Sequence, residues 1–570
     1  MLSAAPPWVD GLTIGAVLRQ TTQRNPEAEA LVFAAIDADG KPAHTPDSIR
    51  YRLTYRQLDE EVDRVARSLI ALGVRKGEQV AVWATNWPRW VLLQHAAARV
   101  GAVFVTVNPA YRSGELSYVL KQSEAKVLFL LDRFRSSNYF ELTAKAVPEL
   151  AESDVGALAA ADHPHLRHVV SMCDSNAPGV ATWEQFLDGA AAVTEQQLRE
   201  REHSLDCDEA INIQYTSGTT GFPKGATLTH RNILLNGYYV GQCQKIGPHD
   251  RICVPVPFYH CFGCVLGVLC AAAHGAALVI PAEYFDAAAT LEAIERERAT
   301  AIYGVPTMFI AMLEDDSFAD RDLTSLRTGI MAGSPCPIEV MNRVVDVMGA
   351  REITIAYGLT EASPVITQTR TDDPLELRVG TVGRPIPDIE VKIVDPSTGA
   401  TLPDERQGEL CVRGHVVMLG YFNMPEQTAD AIDKEGWLHS GDLAVRMPDG
   451  YYRITGRIKE MICRGGENIY PREIEEFLYT LEGVEDVAVV GVPDPKLVEA
   501  VAAWIKLTHD AHLTEEEVRS TCRKNMAHFK VPTYIRFVRE FPQTVTGKIQ
   551  KFRIRETMID ELGLTETETA

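Results

Sequence analysis

At 570 residues the chain exceeds what one compact core usually serves, so two or more domains are expected. Its 46% hydrophobic and 24% charged content are those of a soluble globular protein. A formal net charge of −22 argues against nucleic acid or an anionic membrane surface as the main partner, so an anionic ligand would need locally gathered donors.

The opening segment, MLSAAPPWVDGLTIG, has no basic n-region and no apolar h-region, so no secretory signal is expected. Its first arginine is Arg19, which speaks against a transit peptide. Residues 51–55 read as an edge strand, and residues 54–72 as a helix with Leu58, Val62, Val65 and Leu69 at helical spacing. Gln79–Trp83 is expected as a buried strand and residues 88–98 as a helix. Val103–Val107 and residues 126–131 follow as strands with a helix between them, and residues 150–165 as a loop. The same alternation recurs at Ala301–Gly304, 329–331 and 352–357, which implies parallel sheets covered by helices.

Residues 261–280 carry no formal charge and are long enough to raise the question of a membrane span. His274 and Gly275 divide them, so a buried helix followed by a buried strand is expected instead. Cys261 and Cys264 form a CxxC beside His260, but no second ligand pair follows at metal spacing, and packing is the expected role. The eleven cysteines form no paired framework, as in a cytoplasmic protein with reduced thiols. Near residue 380 turn clusters begin to separate short strands, which points to a small β-barrel or antiparallel sheet over about 380–455. Residues 471–561 read as a separate α+β unit, with helices at 471–481 and 514–526.

The densest chemical signal is residues 215–225, YTSGTTGFPKG. Gly, Ser and Thr dominate it, a strand-like run leads in, Pro223 stiffens it and Lys224 adds a charge. Such chain offers a concave row of N–H and O–H donors suited to phosphate oxygens. A P-loop needs Gly directly before Lys, and here Pro223 stands there. The dinucleotide GxGxxG pattern fails too, because no two glycines are separated by a single residue.

These eleven residues resemble the phosphate loop of the adenylate-forming superfamily, which includes acyl-CoA synthetases, luciferases and peptide-synthetase adenylation domains. Four further stretches match that family in order: Tyr357–Gly358–Leu359–Thr360–Glu361, Trp437 to Asp442, Gly456 to Glu460, and residues 542–548, PQTVTGK. Residues 463–471, CRGGENIYP, complete the set, and the stretches around 456–475 and 528–556 most resemble medium-chain acyl-CoA synthetases.

The resemblance implies roles. Thr216, Ser217, Gly218, Thr219, Thr220, Gly221, Pro223 and Lys224 would hold ATP phosphates. Gly333, Ser334 and Pro335 would face Tyr357 and Gly358 across the adenine, with Thr360 beside them. Glu361 would hold Mg²⁺, while Asp442 and Arg457 reach the ribose. Lys459 takes the hinge position about which the C-terminal domain turns, and Lys548 that of the catalytic lysine. Arg464, Gly465, Gly466 and Glu467 would border coenzyme A. Residues 257–263 correspond to the acyl-pocket segment, with Tyr259 and a catalytic His260 near the carboxylate and Gly304 and Met308 as a further wall; for Phe258 and Phe262 plain core packing competes.

The expected fold is α/β: an N-terminal domain (1–455) of layered sheets with a barrel-like part, a hinge at 456–460 and a mobile α+β domain at 461–570. The expected activity is ATP-dependent ligation of a carboxylic acid, a fatty acid of medium chain length, to coenzyme A through acyl-AMP. A different acceptor (an acyl-AMP ligase or a luciferase-like enzyme), an aryl-CoA ligase or a non-catalytic nucleotide sensor are the rival readings. No transmembrane segment and no nucleic-acid partner are expected, and a homodimer is the one protein assembly entertained.

Overall fold

The computed structural model describes residues 7–34, 52–173, 175–216, 223–334, 336–464, 467–494, 496–509, 511–544 and 549–564. Two large sheets organise the chain as far as Tyr421. A nine-stranded sheet runs in the order Arg384–Pro385, Val365–Gln368, Glu352–Gly358, Thr328–Ala332, Ala301–Gly304, Arg251–Cys253, Ala277–Ile280, Glu29–Phe33 and Arg52–Thr54. Its centre is parallel and its edges antiparallel. A seven-stranded sheet runs Gly420–Tyr421, Lys224–Thr229, Ala210–Thr216, Val103–Val107, Gln79–Trp83, Val127–Leu130 and His168–Ser171. Every residue of Val103–Val107 is buried, because helices cover both faces of a parallel sheet.

The helices obey their sequence signals. Thr54 and Gln57 form a capping box that starts Tyr55–Ala71, which buries Leu58, Val62, Val65 and Leu69. The charge-free stretch 261–280 becomes a wide π-type helix at Phe262–Leu269, the helix Cys270–His274, a left-handed Gly275 and the strand Ala277–Ile280. Its helices and strand lie in the core. Among the described residues no helix is long and apolar enough to cross a membrane.

Of the two forms expected over 380–455, the antiparallel sheet is the one present, and it does not close into a barrel. Ile389–Val394, Gln407–Gly414, Leu438–Arg446 and Tyr452–Arg457 form an open four-stranded antiparallel sheet. Closure would need the outer strands to pair, but Tyr452 bonds outward instead, with Val382 N–H donating to Tyr452 O and Tyr452 N–H to Gly383 O, each at 2.9 Å.

One hydrophobic core draws residues from Val9 to Tyr452, and separate clusters begin at Ile462. In the later part, the hairpin Val484–Asp494 and Val498–Leu507 alternates its side chains between two faces. One face packs Ile474 and Leu478 of the helix Pro471–Tyr479 and Val518 and Cys522 of Glu515–Asn525. The other packs Ile554 and Met558 of Lys551–Leu562.

Candidate active site

Three parallel strands end side by side. The register pairs Gly304 with Met331 and Ala332 with Ala356, so Gly304, Gly333–Ser334 and Tyr357–Gly358 share one carboxyl edge of the nine-stranded sheet. Open α/β sheets bind ligands at that edge. Gly358 crosses so close to the next turn that a Cβ there would lie 1.8 Å from the Pro364 carbonyl oxygen. Only glycine permits that path. Gly304 is buried, and buried Met308 follows it in the helix Pro306–Leu313.

At this edge sits a charged triad. Asp442 and Arg457 are register partners on neighbouring strands of the small sheet. The Asp442 carboxylate is only 4% exposed, accepts the Tyr357 hydroxyl at 2.7 Å through Oδ2, and meets Arg457 Nε at 2.8 Å through Oδ1. Asp442 raises the Arg457 guanidinium above its ordinary value. Burial and the same carboxylate push the Tyr357 phenol well above its usual range. Each Asp442 oxygen still has lone-pair capacity for further donors, such as vicinal hydroxyls. Glu409 supports the turn before Asp442: its Oε1 accepts Gly441 N–H at 3.0 Å, and its Oε2 lies 2.8 Å from His439 Nδ1. Sequence reasoning missed Glu409, whose spacing to the motif carries no signal.

A second cluster gathers at the phosphate-loop strands. Ala210–Thr216 and Lys224–Thr229 are antiparallel, with Thr216 opposite Lys224. The Thr216 hydroxyl reaches Lys224 O at 3.4 Å, and Tyr118 donates to Pro223 O at 3.0 Å. Gly420–Tyr421 then pairs with Ala226 and Thr227. Through this pairing the Tyr421 hydroxyl donates to Glu361 Oε1 at 2.7 Å, and Lys224 Nζ lies 5.0 Å from the Tyr421 ring centre. Met418 N–H also binds Glu361 O at 3.0 Å. Burial and Glu361 raise the Tyr421 phenol, keeping it a donor. Glu361 therefore presents a half-buried, oriented carboxylate beside the phosphate-loop strands. That is a hard-oxygen ligand of the type Mg²⁺ takes together with phosphate, so the residues present fit the ion. Tyr421 was not anticipated, because its contact depends on a pairing between distant segments.

The segment 257–264 contributes Phe258, Cys261, Phe262 and Cys264 to the main core. His260 Nδ1 accepts Phe262 N–H at 3.2 Å, so the neutral ring carries its proton on Nε2. Tyr259 is half-buried and Phe258 fully so. A Cβ on Gly263 would lie 2.4 Å from Pro257 O, which explains glycine at this crossing. Both CxxC thiols are buried, and Cys264 accepts Gln214 Nε2 at 2.9 Å. Burial pushes Cys264 up to about 12. Both behave as packed thiols.

Beyond the small sheet, Lys459 is exposed in the single turn Ile458–Glu460. Arg464 pairs in register with Glu467, and its guanidinium donates to Phe529 O at 2.6 Å, Val531 O at 3.3 Å and Thr533 Oγ1 at 3.2 Å. Arg464 thus pins the 529–533 segment. Ser217, Gly218, Thr219, Thr220, Gly221, Pro335, Gly465, Gly466, Lys548 and the Glu467 side chain lie outside the described residues.

Comparison with known proteins agrees with this geometry. Residues 18–422 match the AMP-binding enzyme family, and residues 473–548 match the AMP-binding enzyme C-terminal domain. The chain is 47% identical over 557 residues to the Bacillus subtilis (strain 168) protein named "Putative acyl-CoA synthetase YngI", covering 98% of this chain and 99% of that one. It is 41% identical over 559 residues to medium-chain acyl-CoA ligase ACSF2, mitochondrial, of Bos taurus, covering 97% and 88%. Among solved structures it is similar to ATP-bound MatB from Rhodopseudomonas palustris, with a TM-score of 0.81 at 27% identity, covering 97% and 99%. With the triad at the strand edge and matches along nearly its whole length, this chain belongs to the AMP-binding enzyme family.

Proposed function

We propose that this protein is an ATP-dependent carboxylate–CoA ligase that works through an acyl-AMP intermediate, with a medium-chain fatty acid as its substrate class. The observation that carries the reading is the Tyr357–Asp442–Arg457 triad set beside Glu361, Tyr421 and Lys224. One group suits a ribose and base; the other suits phosphates. The chain-length assignment is supported by the likeness to ACSF2.

In the first step a substrate carboxylate oxygen attacks the α-phosphorus of ATP, and the bond to pyrophosphate breaks. Asp442 would accept the ribose hydroxyls, and Tyr357 with Gly333–Ser334 would bound the adenine. Residues 216–224 would hold the departing phosphates. Glu361 would hold Mg²⁺, which when bound offsets phosphate charge. Lys548 would stabilise the pentavalent centre, and Tyr259 and His260 would line the carboxylate end of the acyl site.

In the second step the coenzyme A sulfur, having given up its proton, attacks the acyl carbonyl and AMP leaves. Residues 464–467 would border that thiol's path after a rotation about Lys459. The proposed organisation is therefore 1–455, a hinge at 456–460, and 461–570, supported by the separate cores on either side of residue 455. Among the described residues the cysteines form no disulfide, which supports a cytoplasmic location.

A pyrophosphate-release assay across carboxylates of graded length and aromaticity, with and without coenzyme A, tests the reading. Carboxylate-dependent pyrophosphate together with CoA-dependent AMP supports it. Pyrophosphate without CoA-dependent AMP would point to another acceptor, and no pyrophosphate would overturn it.

A further inference from the structure

Lys551 lies at the start of the helix Lys551–Leu562, three residues beyond Lys548. Its ammonium is mostly buried and contacts two carboxylates from different elements. Nζ lies 2.7 Å from Glu475 Oε1 and 3.3 Å from Glu460 Oε2. Burial alone would lower the lysine's pKa, but the two carboxylates more than reverse this and keep it charged. Glu475 belongs to the helix Pro471–Tyr479 and is only 6% exposed; its Oε1 also accepts Val489 N–H at 2.7 Å. Glu460 belongs to the single turn Ile458–Glu460 that follows the small sheet.

The two sides of that turn are held by different bodies. Before it, Arg457 is in register with Asp442 and ion-paired to it at 2.8 Å, so residue 457 belongs to the small sheet. After it, Glu460 is tied through Lys551 to the C-terminal helices. A second link runs in parallel: Arg555 Nη2 lies 3.9 Å from Glu499 Oε1, and Glu499 Oε2 accepts Cys463 N–H at 2.8 Å. Only Ile458 and Lys459 lie between the two anchored residues.

Lys551 is also fixed at its other flank. Gln543 and Ile549 form an antiparallel bridge, and Gln550 N–H donates to Pro542 O at 2.7 Å. The chain leaving that bridge meets the Lys551 ion pairs within two residues. The same side chain therefore joins the base of the 543–549 connection, the Pro471–Tyr479 helix and the turn after residue 457.

We propose that Lys551 is a positioning residue: through Glu460 and Glu475 it makes residue 460 part of the C-terminal body, confines the pivot to Ile458–Lys459, and keeps the base of the 543–549 connection at a fixed distance from that pivot. The inference rests on the domain-rotation reading above. It adds a specific consequence: loss of Lys551 blurs the pivot and misplaces the chemistry of the first step, while leaving ATP binding, which the large sheets and Asp442 of the small sheet would supply before the pivot, unchanged.

Three variants test it: Lys551→Met, Lys551→Arg and Glu460→Gln, each assayed alongside the unaltered protein. Expected are a fall of tenfold or more in kcat for pyrophosphate release in Lys551→Met, an unchanged KM for ATP, and thioester formation from supplied acyl-AMP kept within about twofold. Lys551→Arg should recover most of the loss. Glu460→Gln should fall in the same direction, and the Met/Gln double variant should be no worse than Lys551→Met alone. Hydrogen exchange of amides 458–461 should quicken in Lys551→Met and Glu460→Gln but not in Lys551→Arg. Equal loss in both half-reactions, a raised KM for ATP, additive variants or unchanged exchange would each overturn the proposal. Hydrogen exchange needs no substrate, so it separates this inference from the ligase reading; absence of pyrophosphate release in the unaltered protein would overturn that reading alone.

Discussion

The Tyr421 hydroxyl donates to Glu361 Oε1 at 2.7 Å, and Tyr421 holds its place because its strand pairs with Ala226 and Thr227, just after the phosphate loop. The carboxylate proposed to hold the metal is thus oriented from the seven-stranded sheet, although its own motif follows a strand of the other large sheet. The two large sheets meet at this contact.

Tyr421→Phe tests that contact. The ring, its strand pairing and its position near Lys224 should persist, and only the donor is lost. A single hydrogen bond to a charged group is worth about 1.5–3 kcal/mol, so kcat for adenylation should fall by roughly ten- to a hundredfold with little change in Tm. Steady-state pyrophosphate release over a Mg²⁺ titration checks it, and the variant should need more Mg²⁺ for half-maximal rate.

Asp442→Asn keeps shape but removes charge from the triad. If the carboxylate receives ribose hydroxyls, ATP binding should weaken by about ten- to a hundredfold on the same range for charged hydrogen bonds. Titration of ATP by calorimetry reads this directly. An unchanged Kd would remove Asp442 from the nucleotide site.

Lys548→Ala separates the two half-reactions. Loss of one donor to transition-state charge costs about 3–4 kcal/mol by analogy with oxyanion-hole deletions, so pyrophosphate release should fall at least a hundredfold. Thioester formation from supplied acyl-AMP should be spared. Equal loss in both would contradict a division of labour between Lys548 and the 464–467 segment.

His230 makes stability depend on pH. It is buried, accepts Ile14 N–H through Nδ1 at 3.2 Å, and burial lowers its pKa from 6.5 to about 4. The unfolded chain therefore binds the proton first as pH falls. The contribution is fully present above about pH 6.5 and is lost progressively toward pH 4, by about 3 kcal/mol in all. His230→Gln keeps an acceptor for Ile14 without titrating, so its Tm should fall less steeply between pH 7 and 4.5.

Much of this protein was legible in one dimension. The alternation of buried strands and capped helices announced parallel sheets, because period and capping are local properties. The phosphate loop stood out by its Gly, Ser and Thr content, whereas the YGLTE stretch and Asp442 took their expected roles only from the resemblance to the adenylate-forming superfamily. Even the charge-free stretch 261–280 resolved correctly into helix and strand around Gly275.

Other features needed the folded chain. Whether four short strands close into a barrel depends on what their edges meet, and Tyr452 bonds to residues 382–383 instead. The resemblance placed Arg464 beside coenzyme A, and only the folded chain shows that its guanidinium bonds to residues 529–533. Tyr421 and Glu409 carried no motif, and the resemblance over 528–556 gave Lys551 no role. Their contacts arise from strand register and helix packing between segments far apart in sequence, and such long-range geometry is set by burial of the whole core. The sequence by itself determined which chemical groups are present and in what order; the tertiary structure decided which of them touch, because register and packing bring remote side chains within hydrogen-bonding reach.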